Sequence, residues 1–134
     1  MDTLREVIKR YGTENDHQEY WDRLAQNYSD QQVIQGILAS FLTDNADVLW
    51  RTCTFVQHAT AHFPTVIRQP EIIQTIEDIA AGNNLRNAHT AVFLLGRIGS
   101  KRSIERLRYI LSNCKHNDSD FIRELETTIN MLSR

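Results

Sequence analysis

The sequence is poor in residues that interrupt helices. Its 134 residues include only five glycines and two prolines. It also lacks any stretch close to the roughly 20 consecutive apolar residues that a membrane-spanning helix needs. The first residues, MDTLREVIKRYG, contain acids and no apolar core, so no signal peptide is expected. This composition predicts one all-α domain over residues 1–134, built of long helices and few loops, that does not enter a membrane.

Cysteines and catalytic motifs are equally scarce. Cys53 and Cys114 lie far apart and form no C-x-x-C pattern. Two buried free thiols in a reducing cytosol are therefore expected, rather than a disulfide. No serine nucleophile elbow, glycine-rich phosphate loop or paired-carboxylate motif is present, and no cofactor is expected. These absences predict a cytoplasmic protein that is not an enzyme.

The histidines form at most a weak metal-binding pattern. His58 and His62 are four residues apart in HATAH, which places both imidazoles on one helix face, as zinc sites require. The glutamate of the H-E-x-x-H pattern is missing, and no third ligand lies nearby in the sequence. Solvated surface histidines are the preferred interpretation, and no metal is expected.

Helical periodicity is clearest over residues 85–111. The apolar residues keep the i, i+3, i+4 spacing of a helix with one buried face in two successive runs. Gly99 follows the first run, where a left-handed C-cap needs no Cβ, and Ser100 is placed to cap the second helix. The short linker between the runs predicts two antiparallel neighbouring helices.

This hairpin resembles a HEAT-like repeat. The family pattern R-x-A-x-x-A-x-x-L-G-x-I-G, followed by a turn and a second leucine-bearing helix, is matched by Arg86, Ala88, Ala91, Leu95, Gly96, Ile98, Gly99, Ile104 and Leu107. The usual aspartate after the second glycine is Ser100 here. The resemblance implies a HEAT-like right-handed α-solenoid of about eight helices in stacked antiparallel pairs, with a protein-binding role and no active site.

The same periodicity predicts the other helices. A first helix covers residues 4–11, a fourth runs from about Ala46 to Phe63, a fifth opens at Pro70, and the last follows a polar loop at residues 113–118. The residues expected to be buried by the second, third and fourth helices are Tyr20, Trp21, Leu24, Ala25 and Tyr28; Val33, Ile34, Ile37, Leu38, Phe41 and Leu42; and Leu49, Thr52, Cys53, Val56, Ala59 and Phe63. An internal repeat of 35 and 37 residues aligns Trp50-Arg51, Leu85-Arg86 and Ile122-Arg123.

Charge is unevenly distributed along the chain. Residues 1–50 carry nine acidic and four basic side chains, whereas residues 51–134 have a net charge of +3. This asymmetry favours electrostatic steering of a basic partner, although ordinary solvated helix faces would produce it too. The acidic residues expected to bind that partner start or flank the second and fourth helices: Asp16, Glu19, Asp22, Asp44 and Asp47. The most concrete prediction is an immunity protein that binds and neutralises a cognate toxin, with a basic nuclease domain as the expected partner.

A second surface is predicted on the first helix of the hairpin. Phe93 points away from the buried face and lies beside Arg86 and Arg97, as an interface aromatic would. Neighbouring helices could also simply bury it. This surface would suit an acidic partner. Two other functions are the alternatives to an immunity protein: an adaptor or chaperone-like subunit of the bilin-lyase HEAT type, or a nucleic-acid-processing HEAT-like protein. Glu105 interrupts the basic run from Arg97 to Arg108, so nucleic-acid binding is the less expected of these.

Overall fold

The computed structural model describes residues 4–9, 17–43 and 45–134. In these residues the chain is helical and contains no strand, which confirms the all-α prediction. The helices are α1 (Leu4–Lys9), α2 (His17–Asn27), α3 (Asp30–Phe41), α4 (Ala46–His62), α5 (Pro64–Ile67), α6 (Pro70–Ala80), α7 (Leu85–Ile98), α8 (Ile104–Ser112) and α9 (Ser119–Leu132), with a 3-10 turn at Lys101–Ser103. Within the described ranges, no helix combines the length and the apolar character needed to cross a bilayer. The predicted end of the first helix, at Tyr11 and Gly12, lies outside these ranges.

The chain divides into two compact units. The first is Met1–Ile72 and the second is Ile73–Arg134, so the boundary falls inside α6.

In the first unit, α1, α3 and α4 pack against one another. A Cβ on Gly36 would overlap the side chain of Leu4, so this glycine allows α1 and α3 to approach closely. Tyr20 and Trp21 of α2 place their rings 6.5 Å and 5.3 Å from Phe55 of α4. The core of this unit is therefore an aromatic cluster between α2 and α4, joined to an aliphatic contact between α1 and α3.

Several side chains in the first unit depart from their predicted burial, and Tyr28, Leu38 and Phe63 are only half-buried. Leu42 is 79% exposed, because α3 ends at Phe41 and the helical stripe ends with it. Ala25 is exposed, since the buried face of α2 consists of Tyr20, Trp21 and Leu24 and does not extend to Ala25. Phe55 is fully buried although it was not predicted, because α4 contacts helices on more than one side.

In the second unit, α7 and α9 lie side by side and run in the same direction. His89 faces Phe121 with ring centres 6.1 Å apart, near the start of both helices. Further along, Gly96 faces Met131 and Thr128 of α9. Residue numbers therefore rise together along the contact, which defines a parallel pair.

The helices α6 and α8 form a second parallel pair within the same unit. Arg106 of α8 pairs with Asp78 at 2.8 Å and with Glu77 at 3.7 Å. Beyond the end of both helices, Nε2 of His116 lies 3.0 Å from the carbonyl oxygen of Gly82. In this unit, helices two apart in the sequence are thus parallel.

A polar chain fixes the turn between α7 and α8. The Ser103 hydroxyl donates to Glu77 at 2.6 Å, and its oxygen lies 2.7 Å from the Ser100 hydroxyl. Because Ser103 gives its single proton to the carboxylate, Ser100 must donate to Ser103. Ser100 makes no side-chain capping hydrogen bond, so its predicted role as a helix cap is wrong. The long-range bond to α6 holds this turn instead.

The predicted C-cap of α7 is confirmed. Gly99 adopts the left-handed conformation with φ 71° and ψ 37°. The backbone N–H of Ser100 then donates to the carbonyl of Leu95 at 3.2 Å, as in a Schellman motif. At the other end of α7, Asn84 caps the helix by accepting from the N–H of Asn87.

Candidate partner-binding site

The acidic residues predicted to bind a partner all belong to the first unit. Glu19 and Asp22 are exposed on α2, and Asp47 is exposed in the first turn of α4. Asp16 and Asp44 lie outside the described residues. The three described carboxylates are thus at the surface, as the prediction required.

These carboxylates do not form one cluster. Trp21, between Glu19 and Asp22 on α2, contacts Phe55, His62 and Phe63, all in the second half of α4 or just after it. Asp47 lies at the opposite end of α4, beside its N-cap Asn45. The acidic side chains are therefore distributed along the length of α4 rather than concentrated at one point.

The structure adds a residue that sequence reasoning missed. Trp50 is 54% exposed, and it follows Asp47 by three positions, so both lie on one face of α4. The helical projection that places Leu49, Thr52, Cys53 and Val56 on the buried face also places Trp50 well off it. The sequence therefore contained the signal for an exposed Trp50, but this residue was predicted only as part of the internal repeat. We call Asp47 and Trp50 the Trp50 surface.

The residues of the alternative site on α7 are accessible to solvent, at least in part. Phe93 is half-buried, and Cζ of Arg97 lies 4.7 Å from the centre of its ring, a cation–π contact. Neighbouring helices have therefore buried Phe93 only in part. Arg86 lies two helical turns before Phe93 on α7, where it shares a cleft with Asp118 and Asp120. Arg86 is thus placed among acidic side chains.

A further concavity lies beside α8 in the second unit. It has a volume of about 260 Å³, and its apolar floor includes Ile110 and Phe121. Tyr109, which is 67% exposed, forms part of its wall. The thiol of Cys114 donates to the backbone carbonyl of His116 at 3.2 Å, and the His116 ring faces the Gly82 carbonyl. Cysteine and histidine therefore each contact a backbone carbonyl instead of forming a thiol–imidazole pair.

The remaining candidates for chemistry are the two cysteines and the histidine pair on α4. Burial raises the pKa of the Cys53 thiol to about 12, so this cysteine stays protonated. Cys114 is half-buried, so the prediction that both thiols are buried is wrong for it. His58 and His62 are exposed, as predicted, and His62 stacks on Trp21 with ring centres 4.6 Å apart. Among the described residues, no group of three His, Cys, Asp or Glu side chains is arranged to hold a metal ion.

Comparison of the chain with protein-family models, with curated proteins and with solved structures finds no match. The resemblance to a HEAT-like repeat therefore stays a prediction from the motif in residues 86–107.

Proposed function

We propose that this chain is a HEAT-like helical-repeat protein that binds another protein and has no catalytic activity of its own. Its proposed architecture is a right-handed α-solenoid of stacked antiparallel helix pairs. The two parallel pairs in the second unit, α6 with α8 and α7 with α9, support this arrangement. The N-caps of α7 and α9, Asn84 and Asp118, are 34 positions apart, within the length of helical repeats.

The observation that carries the proposal is the exposed indole of Trp50 beside Asp47. Tryptophan is the residue type most enriched among the side chains that dominate binding energy at protein interfaces. More than half of this side chain is in contact with solvent. An aromatic face next to a carboxylate suits a lysine or arginine, which can stack on the indole and pair with the acid. We therefore propose a basic protein as the partner.

The charge of the first 50 residues supports the same partner. Residues 1–50 carry nine acids against four bases, which would attract a basic protein over a distance of about one Debye length. The sharpest form of the proposal is an immunity protein that binds and neutralises a cognate toxin of the nuclease class. A toxin encoded in the adjacent reading frame would supply the partner for the test.

The test measures binding kinetics with that partner by surface plasmon resonance. Trp50→Ala should weaken binding about tenfold or more, mainly by faster dissociation, because it removes the aromatic anchor. Asp47→Lys should mainly slow association, and more so at low salt, because it reverses part of the steering field. Glu71→Lys makes the same charge change on α6 and serves as the matched control. If both Trp50 surface variants bind like the unmodified protein, this surface is not the binding site.

An adaptor or chaperone-like subunit of a larger complex is the second candidate function. It is favoured by the Phe93 and Arg97 contact, because that surface differs in charge from the Trp50 surface and suits another class of partner. Inhibition of a nuclease by the purified protein would support the immunity proposal. Copurification in a complex that contains no toxin would favour the adaptor instead.

A further inference from the structure

The C-terminal halves of α7 and α9 form a patch with both apolar and basic character. We define the Phe93 patch as Phe93, Arg97, Lys101 and Met131. Met131 is 40% exposed although it is a large apolar side chain, and Phe93 is half-buried. The patch lies entirely in the second unit, and the Trp50 surface lies in the first.

Gly96 on α7 leaves room for the side chain of Met131. Cε of Met131 lies 2.9 Å from the position that a Cβ on Gly96 would occupy. Gly96 and Phe93 are three residues apart, so they are neighbours on the surface of α7. Met131 therefore reaches from α9 to Gly96 on α7, one turn along the helix from Phe93. Since methionine is flexible, this pair can adapt to an apolar side chain of a partner.

The charged side chains that follow this pair at the C-terminal ends of α7 and α9 are positive, whereas Glu124 lies two turns before Met131 on α9. Residues 94–102 contain Arg97, Lys101 and Arg102 and no acid, and residues 127–134 contain one arginine and no acid. Nζ of Lys101 donates to the backbone carbonyl of Arg134 at 3.2 Å, which ties the basic turn to the end of α9. The guanidinium of Arg97 is exposed and lies over the Phe93 ring. Acidic groups on a partner would complement this set.

We propose that the Phe93 patch docks an acidic segment of a partner protein that also supplies an apolar anchor. The anchor packs between Phe93 and Met131, and the flanking carboxylates pair with Arg97 and Lys101. This proposal does not depend on the Trp50 surface, and together the two surfaces would let one chain hold two partners of opposite charge.

A peptide fits this patch better than a nucleic acid does. Asp118 and Asp120 lie toward the start of the same helix pair, in the cleft that also contains Arg86. A phosphate backbone that ran along α7 and α9 would meet these carboxylates, whereas a short peptide would cover only the basic end. Arg97 also covers one face of the Phe93 ring, which leaves that face closed to a stacked base.

The test uses fluorescence anisotropy with a labelled synthetic peptide in which glutamate and leucine alternate. We expect a dissociation constant below about 1 mM, and we expect Arg97→Glu and Phe93→Ala each to raise it about tenfold. A polyglutamate peptide of equal charge should bind about tenfold more weakly, because it lacks the apolar anchor. Trp50→Ala should leave peptide binding unchanged. Arg108→Glu, which makes the same charge change at an exposed position of α8, is the matched control.

Four results would overturn the proposal. The first is no binding of the glutamate–leucine peptide at about 1 mM. The second is an equal loss of peptide affinity in Arg97→Glu and Arg108→Glu, which would indicate that the net charge of the protein, rather than a defined site, causes binding. The third is equal binding of polyglutamate, which would remove the apolar anchor from the proposal. The last is tighter binding of a single-stranded oligonucleotide that Arg97→Glu abolishes, which would assign the patch to nucleic acid.

Discussion

The two cysteines differ in their surroundings, and this difference sets their reactivity. Cys53 lies on the buried face of α4, 5% exposed, where it replaces a small apolar side chain. Its raised pKa has one cause, the burial that disfavours the thiolate. Cys114 lies in the loop after α8 and is half-buried, with its thiol bonded to a backbone carbonyl.

Thiol labelling tests this difference. In the native protein at pH 8, iodoacetamide should modify Cys114 and leave Cys53 unmodified, because the thiolate is the reactive form and Cys53 titrates near pH 12. The sites of modification are read by mass spectrometry of peptides. Denaturant should remove the difference, since both thiols are then solvated. Equal rates in the native state would show that Cys53 is accessible.

Among the helices, α7 shows most clearly how local chemistry sets both ends of an element. Asn84 caps its start, and Gly99 ends it in a left-handed conformation. No atom lies within 4 Å of the place where a Cβ on Gly99 would stand. A larger residue there would meet no steric obstacle, so its cost would come from the backbone conformation alone.

Substitution of Gly99 measures this cost. Gly99→Ala should destabilise the protein by about 1 kcal/mol, because alanine adopts a positive φ poorly. Gly99→Asn should cost less, because asparagine tolerates that region better. The free energy of unfolding is read from urea titrations followed by circular dichroism. Equal stability of Gly99→Ala and the unmodified protein would contradict the left-handed C-cap.

At the scale of the whole molecule, the described residues are helices arranged in two compact units with apolar cores. In the second unit Leu95, Leu107 and Leu125, from three different helices, are each fully buried. Such a core stabilises mainly by removing apolar area from water. It has no place for a charge that lacks a partner.

The core of the second unit is tested at Leu95. Leu95→Ala should cost about 3 kcal/mol, as expected for a fully buried leucine that leaves a cavity. Leu95→Asp should abolish cooperative unfolding, because it places a carboxylate in that core. Thermal unfolding followed by circular dichroism measures both. Arg108→Asp, at an exposed position of α8, is the control, and similar stability of all three variants would refute the core assignment.

Much of the fold could be predicted from local pattern. The buried positions Val33, Ile34 and Ile37 follow from helical periodicity, and Pro70 and Gly99 mark helix ends by their backbone chemistry. The candidate sites were only partly predictable. Phe93 and Arg97 were predicted because they lie on one helix at i, i+4. The helical projection of α4 also places Trp50 away from the buried face, but its exposure was not predicted.

What the sequence alone determined is the helical content, most helix boundaries and the main buried stripes, because these depend on residues within one or two turns of each other. Tertiary structure decided the rest. The full burial of Phe55, the bond from Ser103 to Glu77, and the approach of Met131 to Gly96 all join residues more than 20 positions apart or depend on a second helix. Such contacts depend on how the helices pack, and no local spacing specifies which helices meet. For the same reason, only the folded chain places an apolar pair and a basic turn together on one surface.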